Sequence, residues 1–108
     1  MVLAGPVTAA SWRCQVLLPK GRYQFEGFVS CEGVTPLPFG KAHGATLRVV
    51  GYGRSHTTNL LESSPWKYLQ VPFEVTSSEQ QTELVCELRA SKGRAWFDEK
   101  SLKLRSLP

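Results

Sequence analysis

Every strong apolar segment of this chain has period two, and no window sustains a 3.6-residue repeat over three turns. Tyr23, Phe25, Gly27, Val29 and Cys31 alternate with Gln24, Glu26, Phe28 and Ser30. Leu69, Val71, Phe73 and Val75 alternate in the same way with Tyr68, Gln70 and Glu74. A two-residue repeat puts successive side chains on opposite faces of a strand, so one stripe of each segment is buried and the other is wet. The chain is therefore read as all-β.

Strands are expected over residues 11–18, 22–31, 45–50, 66–75, 82–90, 94–97 and 101–107. Pro19-Lys20-Gly21 reads as the turn of a hairpin, and residues 76–81 as a second, polar turn. Residues 82–90 and 94–97 read as another hairpin, turning at Gly93. Pro72 places its strand at a sheet edge or a bulge, because proline donates no ladder hydrogen bond. Residues 32–44 and 51–65 are loops rich in proline, glycine and polar residues, with Leu37 and Phe39 pinning the first and a short strand over 57–61 in the second. Residues 1–10 are read as a flexible lead-in, and residues 11–108 as a single domain.

The 108 residues suffice for one modest core. The net charge of +4 is spread over single lysines and arginines rather than gathered in a patch, which argues against nucleic-acid binding. No apolar run approaches the roughly 20 residues of a membrane-spanning helix, and the first residues carry no signal-peptide pattern. The three cysteines fall on core-facing positions and lack metal-site spacing, so they are read as small buried hydrophobes with free thiols. Nucleophile elbows, phosphate loops and dinucleotide fingerprints are missing, which points away from an enzyme.

Tyr23-x-Phe25 after a Pro-x-Gly turn, Ala45-x-Leu47-x-Val49, Trp66-x-x-Leu69 with Phe73-x-Val75, and Ala95-Trp96-Phe97-Asp98-x-x-x-Leu102 occur in that order. Together they resemble the galactose-binding-domain-like β-sandwiches, in particular carbohydrate-binding modules of the xylan- and glucan-binding type. The resemblance covers about residues 11–104. It implies a jelly-roll β-sandwich of two antiparallel sheets, non-catalytic binding of a polysaccharide or oligosaccharide, and a structural calcium with Asp98 among its ligands. Two departures bear on the calcium. The strand that begins fuller-length relatives has no counterpart before residue 11, and the usual Asp-Asp pair reads Asp98-Glu99. The other reading of Asp98 is a cap on its own turn. A sandwich lacking that strand leaves a sheet edge open, which predicts a homodimer through that edge.

Trp66 and Tyr68 alternate against the core row and are expected to present a flat aromatic platform to a sugar. The competing reading is a bulge near residues 70–72 that turns Trp66 inward. Arg48, Arg89 and Glu87 are outward by alternation and are candidates to hydrogen-bond sugar hydroxyls. As cross-strand charge pairs, they and Glu26 would instead be ordinary surface chemistry. Tyr52, Arg54, His56 and Asn59 sit in a loop of the kind that carries binding groups. Trp96 is expected to be a partly exposed ring near Asp98. The alternative function is a protein-interaction or architectural module of a larger protein with no sugar ligand, a reading that free buried cysteines favour slightly.

Overall fold

The computed structural model describes residues 1–4, 7–38, 43–50 and 59–108. The described residues form six strands: β1 (Val2–Ala4), β2 (Val7–Thr35), β3 (Gly44–Val50), β4 (Glu62–Ala90), β5 (Lys92–Phe97) and β6 (Lys103–Leu107). All pairings are antiparallel. The hydrogen-bonded order is β1-β5-β2-β4-β3, with β6 also pairing β2. Among these residues no helix is long and apolar enough to cross a membrane.

The frame is one long ribbon. β2 and β4 are 29 residues each and pair with one another from Val7↔Ala90 to Val34↔Glu62. Here the structure corrects the expected hairpin at Pro19-Lys20-Gly21. Residues 11–18 pair with 80–87, not with 22–31, and the chain runs on through Pro19 and Gly21 with a register shift. The shift changes which parity faces in. Among the described side chains before it, Leu18 is the buried residue of β2; after it, Tyr23, Phe25 and Val29 are among the buried ones. β4 makes the matching change, from Leu69, Val71, Phe73 and Val75 to Leu84, Cys86 and Leu88. The two strands bend together here through an irregularity that leaves Lys20 and residues 76–78 outside the paired register.

The ribbon's halves gather different neighbours. The half made by residues 7–19 of β2 and 79–90 of β4 adds β3, from Gly44↔Arg89 to Val50↔Glu83. The other half adds β6 opposite Arg22–Glu26 and β5 opposite Val29–Thr35, and β1 then pairs β5. The inward rows of both halves join one cluster, running from Phe25, Val29 and Val71 to Leu47, Leu84, Leu88 and Phe97. Burying a side chain of this size contributes about 1.5–3 kcal/mol, so this shared interior is the main favourable term of the fold.

Gly93 does not turn a hairpin. β5 leaves β4 at Ser91, whose backbone N–H donates to Thr35 O at 2.8 Å, and pairs instead with β2 and β1. Gly93 sits at φ +120°, and a Cβ there would lie 2.6 Å from Val34 Cα and 2.8 Å from Gly33 O. Only glycine allows this corner, which hands the chain from one half of the ribbon to the other.

Val2–Ala4, within the expected lead-in, forms β1 against Trp96, Ala95 and Arg94. Pro72 stands opposite Gln24 on a stretch of β4 with no neighbour on its other side among the described residues, so the edge reading holds. Phe39, Tyr52, Arg54 and His56 lie outside the described residues. Of the expected 57–61 strand, Leu60 makes a two-bond bridge to Ala45.

Candidate functional site: an aromatic outer face

The ladder fixes which side chains share the outer face of the half built from β4, β2, β5 and β6. One row carries Tyr68, Phe28 and Asp98, through Phe28↔Tyr68 and the Asp98 N–H donating to Phe28 O at 3.0 Å. The next row toward the β2 C-terminus carries Ser30 and its partner Trp96. A register shift between Val29 and Cys31 brings Trp66 beside them. In the opposite direction come Glu26 with Gln70 and Lys103, then Gln24 with Pro72 and Arg105.

Alternation sends these residues outward because the intervening positions fill the core. Leu69 and Val71 on β4, and Phe25 and Val29 on β2, are 8% exposed or less. Trp66 is 52% exposed, Phe28 40% and Tyr68 38%. Trp66 is therefore outside, and the expected bulge near residues 70–72 is absent, since the pairing of residues 67–75 with β2 runs without a shift from Val29↔Lys67 to Gly21↔Val75. Phe28 and Tyr68 meet edge to face, ring centroids 4.8 Å apart at 62°. Trp66 and Trp96 flank Ser30 across an open groove of about 420 Å³ that also touches Glu32, Ser63 and Ser64. The same two indoles border a second depression of about 460 Å³ reaching Asp98 and Met1.

Glu26 anchors this face. It is only 3% exposed although it points outward, because its neighbours close over it. Its carboxylate accepts from Arg105 Nε at 2.8 Å, from Gln24 Nε2 at 2.8 Å and from the Tyr68 hydroxyl, with Lys103 Nζ at 3.8 Å. Burial pushes its pKa up, but the hydrogen bonds from Arg105 and Gln24 and the charges of Arg105 and Lys103 outweigh it. The carboxyl is held below its ordinary range. Tyr68 is thus fixed at both ends, its ring by Phe28 and its hydroxyl by Glu26.

The residues singled out from sequence do not form one site. Trp66 and Tyr68 belong to this face. Arg48, Glu87 and Arg89 lie on the other half of the ribbon, on the outer row of β3 and β4 that pairs with Ser11 and Arg13. There Arg48 Nε binds Glu87 Oε2 at 3.2 Å, the cross-strand pair that alternation allowed. Arg89 Nε is shielded and makes no hydrogen bond. Asn59 donates to the His43 carbonyl. Sequence reasoning missed Phe28 and Glu26 as site residues. The signal for both was present, since each shares the outward parity of β2 that faces Tyr68 and Gln70.

Asp98 caps its own turn. Its Oδ1 accepts from Lys100 N–H at 3.2 Å, and its carbonyl accepts from Ser101 N–H at 3.0 Å and Leu102 N–H at 3.1 Å. Its neighbour Glu99 faces the N-terminal ammonium at 3.4 Å. Calcium takes six to eight oxygen ligands, usually with several carboxylates. Among the described residues no three His, Cys, Asp or Glu side chains gather to hold a metal.

The chain matches no family model, and no curated protein or solved structure matches it.

Proposed function

We propose that this chain is a non-catalytic carbohydrate-binding module that takes a polysaccharide or oligosaccharide on the aromatic outer face. The observation that carries the reading is the pairing of exposed indole and phenyl rings with an ordered row of hydrogen-bonding groups. Trp66, Trp96 and Phe28 offer apolar surfaces to the C–H faces of sugar rings. Gln24, Gln70, Lys103 and Arg105 stand one or two rows away, within reach of the hydroxyls. The Glu26 network fixes the Tyr68 hydroxyl and the Arg105 guanidinium before any ligand arrives, which lowers the entropy lost on binding. The two-layer jelly-roll arrangement belongs to the same proposal, supported by the single core that both halves of the ribbon share.

The carboxylates also support a binding role over hydrolysis. A glycosidase needs two carboxyl groups facing one bond. Glu26 is enclosed by four donors and Glu87 is paired with Arg48 on the other half of the ribbon. Isothermal titration against a panel of soluble glucans, xylans and mannans tests the proposal. Saturable heat with at least one of them, lost in Trp66→Ala, is the expected result. Absence of heat with every glycan sinks it.

A further inference from the structure

We propose that residues 10–18 of β2 form the seam of a two-fold dimer, in which this edge pairs antiparallel with the same edge of a second copy. Among the described residues this stretch has β4 on one side and nothing on the other, since β5 and β6 pair β2 only beyond residue 21. The consequence is visible in the core row. Trp12 faces inward with Cys86 and Leu47, which are fully buried, yet Trp12 is 42% exposed. Beside it lies a depression of about 300 Å³ lined by Met1, Leu102 and Glu99. The interior is thus open at one margin, the margin where the neighbouring strand is missing.

Of the two open stretches of the β2–β4 ribbon among the described residues, this is the one without protection. The other, residues 62–75 of β4, carries Pro65, Lys67 and Pro72, devices that block strand addition. Residues 10–18 hold no proline and a single charge, Arg13, which is taken up by Glu83 within the same chain.

The second copy is the occupant because the strand complements itself. Antiparallel partners keep like faces together only when Cys14 meets Cys14 of the second copy or in registers shifted by an even step. With Cys14 on the two-fold axis, Trp12 covers Val16 of the second copy and extends both cores. Arg13 then faces Gln15 of the second copy, so no like charges meet. The pairing would join two three-stranded half-sheets into one sheet of order β3-β4-β2-β2-β4-β3, an isologous contact that closes on itself.

Sedimentation equilibrium of the full chain tests this. The expected mass at high concentration is twice the 12.0 kDa of one chain. Gln15→Lys places a cation against Arg13 of the second copy twice over, on an exposed residue, and should weaken the dimer about tenfold while leaving the thermal melt unchanged at concentrations low enough for the chain to be monomeric. A short bis-maleimide should link two chains through Cys14, which is partly exposed, whereas Cys31 and Cys86 are buried. The link should vanish in Cys14→Ser. A strict monomer, a dimer indifferent to Gln15→Lys, or cross-linking that survives Cys14→Ser overturns the proposal.

Discussion

Phe28 and Tyr68 face each other directly across the β2–β4 ladder, ring edge against ring face, and the Tyr68 hydroxyl reaches the buried Glu26. That relationship ties an exposed aromatic surface to a fixed electrostatic centre. It makes the behaviour of Glu26 a direct probe of the face.

Glu26 should contribute stability above the ordinary carboxylate range and lose it in acid. Its folded pKa is lowered, so the unfolded chain takes up a proton first as the pH falls, and the contribution is gone once the pH passes below the folded value. Glu26→Gln should cost about 1–2 kcal/mol at neutral pH, since Arg105 and Lys103 are half-exposed and regain water. The variant should also show a shallower fall in stability between neutral pH and the acid range. Urea titrations at a series of pH values measure both effects, and parallel curves for the two proteins would rule out the role given to Glu26.

Gly93→Ala should be among the most damaging single-methyl changes in the chain. The added Cβ would press on the Val34 and Gly33 backbone, and the residue would have to hold φ +120°. A loss of roughly 2–4 kcal/mol in urea unfolding is expected. Gly33→Ala is the control: a Cβ there meets nothing within 4 Å, which leaves only the strain of φ +60° and a smaller loss.

The thiols should react in a fixed order. Cys14 is half-buried and should be alkylated first in the native protein. Burial pushes the Cys31 pKa up, and it pushes Cys86, with no exposed surface, up to about 12. Cys86 should therefore stay unmodified by iodoacetamide until the chain unfolds. Mass spectrometry of peptides from native and urea-treated samples reads the order.

The inward rows were legible because burial on one face leaves a period-two mark. Phe25, Val29, Leu47, Val71 and Leu88 all fall where alternation puts them. The partners of the strands were not legible. Pro19-Lys20-Gly21 has turn chemistry, but it bends a continuing strand because residues 76–81 bend beside it, and a local pattern carries no sign of that distant partner. Gly93 was read as a hairpin turn for the same reason, since a positive φ serves a corner between two halves as well as a turn between neighbours. Outward parity placed Trp66 and Tyr68 at the surface, where they are, but Glu87, read as outward by the same rule, is 7% exposed, covered as part of its pair with Arg48. Parity could not say that two outer surfaces exist, with Arg48 and Glu87 on a different one from Trp66. Glu26 is the instructive case, because its burial comes from Tyr68, Arg105 and Gln24 closing over an outward residue rather than from strand period.

The most direct measurement is a two-dimensional amide and indole NMR titration with whichever glycan binds. Shifts are expected at the Trp66 and Trp96 indole N–H signals and at the backbone of Phe28, Ser30 and Tyr68, with Arg48, Glu87 and Arg89 unmoved. Shifts confined to β3 and the C-terminal half of β4, or a bound glycan that leaves both indole signals in place, would contradict binding on the aromatic face.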